Sequence, residues 1–211
     1  MNEVINNIVE YAQNMGLLEI LGFIFGLLCV YYLIKESILT FVFGIAYVIV
    51  SFFVFWEIQF YGDFILHIFF LVLNIYGWYY WVKGKKKNNE DELPVSTLTR
   101  KESARYIVIS IIGVFLFGYF LDNINYFFTD IPSSSLPYWD ATTSIFSVTS
   151  MWLTAKKKIE NWHYWLFVDL LASVLYFYKG IYFYSFLYIL YIGMVVPGLL
   201  AWKKTLLTQK A

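Results

Sequence analysis

Residues 17–57 read LLEILGFIFGLLCVYYLIKESILTFVFGIAYVIVSFFVFWE, two apolar runs split by Lys35-Glu36-Ser37. Each run approaches the roughly 20 helical residues needed to cross a hydrocarbon layer of about 30 Å. Carried along all 211 residues, the same reading gives seven membrane spans: 17–34, 38–57, 63–82, 106–122, 138–155, 161–178 and 181–202. Composition agrees: the chain is 60% hydrophobic, 23% aromatic and 14% charged, with a mean hydropathy of +0.63. A soluble domain is about 45–50% apolar and about 25% charged. These values exclude a soluble enzyme, a nucleic-acid binder and a disordered regulator. Fifteen basic and fifteen acidic residues cancel, so no overall field recruits a polyanion. Cys29, the sole cysteine, stands in an apolar run and packs as a small hydrophobe. The first fifteen residues hold Glu3 and Glu10 but no Lys or Arg, unlike the basic start of a cleaved signal.

Charge then orients the spans. With seven of them, the connections 1–2, 3–4 and 5–6 and the C-terminal tail share one side. That side holds Lys35, Lys83, Lys85–Lys87, Arg100, Lys101, Arg105, Lys156–Lys158, Lys203, Lys204 and Lys210, fourteen of the fifteen basic residues. Only Lys179 lies opposite, with Glu57, Asp63, Asp122 and Asp130. The positive-inside rule therefore puts the N-terminus outside and the C-terminus in the cytoplasm of a multi-pass inner-membrane protein. The expected organisation is an external N-terminus (1–16), a first triplet of spans (17–82), a basic cytoplasmic linker (83–105), a bridging span (106–122), a second triplet (138–202) and a cytoplasmic tail (203–211). The linker, KGKKKNNEDELPVSTLTRKESAR, reads as a solvated segment with topological charges.

A displacement of 121 residues superposes Ile24-Phe25 on Ile145-Phe146, Lys35 on Lys156, Gly77 on Gly198 and Trp81 on Trp202. It also aligns the acids Glu19 and Asp140, each at the start of a span. The two triplets then form parallel repeats joined by the fourth span. Transporters built this way bind substrate between the repeats, near the membrane midplane.

Polar residues inside the spans mark candidate functions. In NWHYWLFVDLLASVLYFYKG (161–180), Trp162, Trp165 and Asp169 fall at i, i+3 and i+7, on one helix face. A mid-span carboxylate costs at least about 2.5 kcal/mol on insertion scales, so it faces a partner or a wet cavity. Two indoles beside a carboxylate suit a flat cationic ring. The bland alternative is an interfacial tryptophan belt with a protonated Asp169 tying helices together. His67, Asn74 and Trp81 form a second stripe at i, i+7 and i+14, with Asn74 and His67 able to hydrogen-bond a sugar or ring substituent or simply a neighbouring helix. Asp140, Thr143, Ser147 and Ser150 form a third stripe, which reads as close helix packing.

Several chemistries are missing from the sequence. It holds no G-x-x-x-x-G-K-[ST] for ATP, and no G-x-S-x-G or H-E-x-x-H for hydrolysis. Two distant histidines and one cysteine do not make a metal site. Residues 181–202 contain no lysine for a retinal linkage. The expectation is a non-enzyme that needs no cofactor.

NIYGWYYW (74–81), PYWDATT (137–143), ENWHYWLFVD (160–169) and YFYKGIY (176–182) resemble the pyridine-nucleoside uptake family, PnuC, over residues 17–204. The resemblance implies an all-α membrane protein with seven transmembrane helices in a 3+1+3 parallel-repeat arrangement, similar to the SWEET fold, assembled as a homotrimer. It further implies uptake of nicotinamide riboside by facilitated diffusion, with a cytoplasmic kinase trapping the entering substrate. By motif, Trp162, Trp165 and Asp169 line the binding site, with Asn74, Tyr76 and Trp81 beside it. Members that carry nicotinamide riboside have Asn at the place of Asp169 and Gln at that of His67, while related members, PnuT, carry thiamine. Both ligands are small vitamin precursors with a permanently cationic ring, so Asp169 suits either. Nicotinamide riboside is the family default and thiamine the alternative, with uniport ahead of proton coupling through Asp169 and His67. The contrasting reading is a receptor or scaffold that transports nothing.

Overall fold

The computed structural model describes residues 2–57, 61–88, 93–126 and 134–209. Among them the architecture is all-helical: α1 Asn2–Asn14, α2 Leu17–Ile34, α3 Leu39–Glu57, α4 Tyr61–Asn88, α5 Arg100–Asp122, α6 Pro137–Ala155, α7 Asn161–Tyr178 and α8 Tyr182–Thr208. A single 3-10 turn, Ile124–Tyr126, follows α5. Three helices, α2, α5 and α8, are by length and composition long and apolar enough to cross a membrane, and Leu39–Val54 of α3 is a shorter apolar stretch. α6 and α7 carry Asp140, Asn161, Asp169 and several hydroxyls, which lowers their apolarity without shortening them.

Local chemistry sets the ends. Thr99 caps α5, its hydroxyl accepting from the Glu102 N–H at 3.2 Å while the Glu102 carboxylate accepts from the Thr99 N–H at 2.8 Å. Glu19 turns back on α2 in the same way and accepts from the Gly16 N–H at 2.8 Å. Pro137 opens α6, where its missing N–H costs nothing. These signals correct the expected boundaries. The stretch 83–105 is not wholly a linker, because lysines are good helix formers and carry α4 on to Asn88, and the Thr99 cap starts α5 at Arg100. Nor is the rest of it freely solvated: Val95 is buried, the Ser96 N–H donates to the Lys157 carbonyl at 3.1 Å, and the Ser96 carbonyl accepts from the Ile159 N–H at 3.0 Å. Residues 89–92 of that stretch, and Asp130, lie outside the described residues. The N-terminal segment 1–16 holds the helix α1, packed on α8.

α2, α3 and α4 pack in sequence, as do α6, α7 and α8. The two sets meet where α4 touches α6 and where α2 touches α8, while α5 packs on α6. Outward-facing side chains such as Ile109, Phe115, Leu116, Val174 and Leu200 are large and apolar, as expected of surface solvated by lipid tails.

Positions 121 residues apart share detail at the lysine-bearing end. α2 and α6 both finish in a Schellman turn: Glu36 N–H to Leu33 and Ser37 N–H to Tyr32 in one, Lys157 N–H to Thr154 and Lys158 N–H to Leu153 in the other. The left-handed residues are Glu36, at φ 54°, and Lys157, at φ 52°. The Trp81 indole donates to the Ala155 carbonyl and the Trp202 indole to the Leu33 carbonyl. Phe41 meets Trp81, and Trp162 meets Trp202, each pair edge-on at an interplanar angle of 89°. Gly77 leaves room for Phe41 and Gly198 for Trp162; a Cβ at either glycine would overlap the ring. Together with Val95, Met151, Ile159 and Val195, these aromatics form the buried core.

Candidate functional site

Above that core the two sets of helices part around a cavity of about 460 Å³. This lies within the roughly 300–1,000 Å³ usual for small-molecule sites. Its wall is largely aromatic and aliphatic, with a few polar groups turned inward.

α7 supplies Trp162, Trp165 and Asp169, all three on the cavity as their spacing requires. Asp169 is 4% exposed, and no cationic side chain among the described residues pairs with it. The Trp165 indole donates to the Thr154 hydroxyl at 3.3 Å, which fixes the ring's tilt. Trp162 is held edge-on by Trp202, and its buried indole N–H has no hydrogen-bond partner.

α4 supplies His67 and Asn74. The Asn74 amide nitrogen donates to the Phe70 carbonyl at 2.9 Å, while its buried amide oxygen is unpartnered. Gly44 of α3 makes room for that amide, since a Cβ there would strike the Asn74 oxygen. The His67 ring lies 5.6 Å from Tyr47 and 5.4 Å from Phe70.

Two expected residues lie elsewhere. Tyr76 and Trp81 are absent from the cavity wall. Tyr76 follows Asn74 by two residues, about 200° around the helix, and so faces away. There it stacks on Trp152 at 5.3 Å and receives a hydrogen bond from Lys156, whose ammonium also lies over the Tyr80 ring. Trp81 shares the His67 stripe but sits about 21 Å further along the axis, below the cavity floor.

The sequence reading did not single out the tyrosines of α8. Tyr184, Tyr188 and Tyr191 line the cavity, with Tyr47 and Tyr176, and Tyr176 stacks on Tyr188 at 5.4 Å. Their i, i+4, i+7 spacing is the available signal, submerged among nineteen tyrosines. Asp140, Thr143 and Ser147, read as packing residues, also face the cavity. At the end opposite the lysines, Asp140 pairs with Lys179 at 2.8 Å and Glu19 accepts from the Tyr11 hydroxyl at 2.6 Å. Burial and the neighbouring Glu19 push the Tyr11 phenol well above its ordinary range. Among the described residues no cluster of His, Cys, Asp and Glu is suited to a metal ion.

A multi-helix membrane protein with a ligand-sized cavity between two helix sets, and a carboxylate and indoles facing into it, has the build of a small-molecule transporter. The chain belongs to the nicotinamide mononucleotide transporter family, whose model matches residues 16–204. It is 26% identical over 208 residues to the nicotinamide riboside transporter PnuC of Escherichia coli K12, covering 90% of this chain and 87% of that protein. It is also 29% identical over 133 residues to the riboflavin/roseoflavin transporter RibM of Streptomyces davaonensis, covering 63% of this chain and 59% of that protein. The fold is similar to the crystal structure of the vitamin B3 transporter PnuC, with a TM-score of 0.70 over 96% of this chain and 88% of that one, at 20% identity. These relatives are transporters, and the protein is a multi-pass membrane transporter rather than an enzyme. The receptor-or-scaffold reading is set aside.

Proposed function

We propose that this protein is a uniporter for nicotinamide riboside in the cytoplasmic membrane. The observation that carries the proposal is the buried Asp169 carboxylate, which has no cationic partner among the described residues and faces a cavity walled by Trp162, Trp165, Tyr188 and Tyr191. A buried carboxylate is costly alone and is neutralised by a cationic ligand held in contact. The indoles and phenols supply the faces on which a flat cation stacks.

Two unpartnered groups suit the riboside, as they do the aminopyrimidine of thiamine. The Asn74 amide oxygen calls for a donor and the Trp162 N–H for an acceptor, and a carboxamide offers both. The same wall disfavours the 5′-phosphorylated nucleotide, whose dianion would meet Glu19, Asp140 and Asp169 against Lys179 alone. Thiamine remains the second reading because its ring is also permanently cationic and Asp169 serves it equally.

The lysine-bearing end faces the cytoplasm in this proposal, by the positive-inside asymmetry. Two parallel repeats, α2–α4 and α6–α8, rock about the cavity with α5 as the bridge, in a 3+1+3 arrangement. Transport is facilitated diffusion, made productive by a cytoplasmic kinase that phosphorylates the entering substrate, and the working unit is a homotrimer. Calorimetric titration of the purified protein with nicotinamide riboside, thiamine, riboflavin and nicotinamide mononucleotide tests the substrate. Selective riboside binding is expected. Selective thiamine binding transfers the proposal to the second reading, and riboflavin or mononucleotide binding overturns it.

A further inference from the structure

Glycine takes the left-handed position of a Schellman turn at no steric cost, whereas other residues there lose roughly 1–2 kcal/mol. α2 and α6 place charged residues at that position instead, Glu36 and Lys157, and the two side chains meet in a 2.9 Å ion pair. Lys157 is 1% and Glu36 10% exposed, and the Lys157 ammonium also lies 4.9 Å from the centre of the Trp81 ring. The pair joins the last turns of the first helix in each set. Above it lie the two crossed bonds from Trp81 to Ala155 and from Trp202 to Leu33, and above those the cavity. The segment around Ser96 fastens the backbone of Lys157 and Ile159 from the side.

A buried ion pair is weak evidence for stability, since a well-packed apolar pair serves as well or better. Its distinguishing property is that it tolerates two environments. Dry, the charges attract strongly; parted and wetted, each is solvated and the attraction falls several-fold with the dielectric. An apolar plug at the same place would be stable only when closed. We propose that Glu36 and Lys157 are the gating residues of the transport cycle at the lysine-bearing end, joined while that end is shut and separated to release substrate. The inference rests on the transporter reading, because only a protein that opens by turns to two sides needs such a contact to break.

The decisive variant is the neutral pair E36Q/K157M, which removes both charges of the pair together. The reporter is Met151→Cys with Cys29→Ser, read by a membrane-impermeant maleimide applied from the face bearing Lys203 and Lys204. Met151 lines the cavity and belongs to the core beneath it, so it is reached from that face only when the end is open. Labelling is expected to fall roughly fivefold or more in the neutral pair, because without charges to solvate the parted state is less populated. The charge-exchanged pair E36K/K157E is expected to move the rate back toward the parental value, short of it because the Trp81 ring attracts a cation and not an anion. Unchanged or increased labelling in a monodisperse neutral pair overturns the proposal. So does a neutral pair that does not fold, since the contact is then structural. Calorimetric ligand binding to the same proteins separates the two readings: retained binding with unchanged labelling removes the gate and leaves the transporter.

Discussion

Trp81 and Trp202 brace the protein crosswise: each closes one helix set and donates its indole N–H to the last turn of the other set's first helix, at 3.2 Å to Ala155 and 2.9 Å to Leu33. Their rings stand 6.2 Å apart, in the middle of the buried core. The brace joins α4 to α6 and α8 to α2, the same two places at which the helix sets touch.

Replacing Trp202 with Phe keeps an aromatic ring but removes the indole's bond to the Leu33 carbonyl, which keeps its bond from the Glu36 N–H. Loss of one buried hydrogen bond costs about 0.5–1.5 kcal/mol. Thermal unfolding in detergent is expected to show a lower midpoint, and Trp81→Phe a loss of similar size through Ala155.

Gly77→Ala and Gly198→Ala introduce the same clash in two settings. Each added methyl overlaps a ring, Phe41 in one case and Trp162 in the other. Overpacking of this kind costs about 1–3 kcal/mol. Both variants are expected to lose stability, but only Gly198→Ala displaces a cavity residue. Ligand titration should therefore find weakened binding in Gly198→Ala and near-parental affinity in Gly77→Ala.

Asp169→Asn removes the carboxylate and keeps its shape. Truncating one side of a buried charge pair costs about 2–5 kcal/mol of binding. Affinity for a cationic ligand is expected to fall by tenfold or more, with the unfolding midpoint unchanged or raised. Equal affinity in the two proteins would remove the ion-pairing role of Asp169.

The Thr99–Glu102 cap carries a pH dependence. Hydrogen bonds from the Thr99 N–H and hydroxyl hold the Glu102 carboxyl below its ordinary range. A lowered folded value means that the cap stabilises α5 fully above the ordinary glutamate pKa and loses that contribution as pH falls through the folded value. Amide exchange at residues 100–103 is expected to accelerate on acidification, and Glu102→Gln should flatten the profile.

Much of this was legible in the chain because helix geometry is regular. A helix stands at each of the seven apolar runs, and the i, i+3, i+7 spacing of Trp162, Trp165 and Asp169 put all three on one wall. Periodicity was silent about depth. It placed Trp81 in the His67 stripe without saying that the cavity ends before it, and motif resemblance carried Tyr76 along although it lies on the far side of its helix. The tyrosines of α8 stayed hidden because that helix is apolar all round, so no face stands out. The α1 helix and the fastening of Ser96 to Lys157 depend on contacts between distant segments, which spacing along one segment does not encode.

The proposed repeat gives each position a counterpart 121 residues away, and the counterparts diverge by depth. Near the lysine-bearing end they match in kind: Gly77 with Gly198, Trp81 with Trp202, and aromatic Phe41 with aromatic Trp162. Around the cavity they part company. Gly44 answers to Trp165, Val48 to Asp169, His67 to Tyr188 and Asn74 to Val195. A doubled frame offers two half-sites related by rotation, and a ligand with distinct ends fills only one orientation. Here one half contributes the charge and the indoles, the other the amide and the imidazole, so a symmetric scaffold presents a polar, directional pocket. Substitution at counterpart positions thus isolates what each side chain adds from what the shared backbone already supplies.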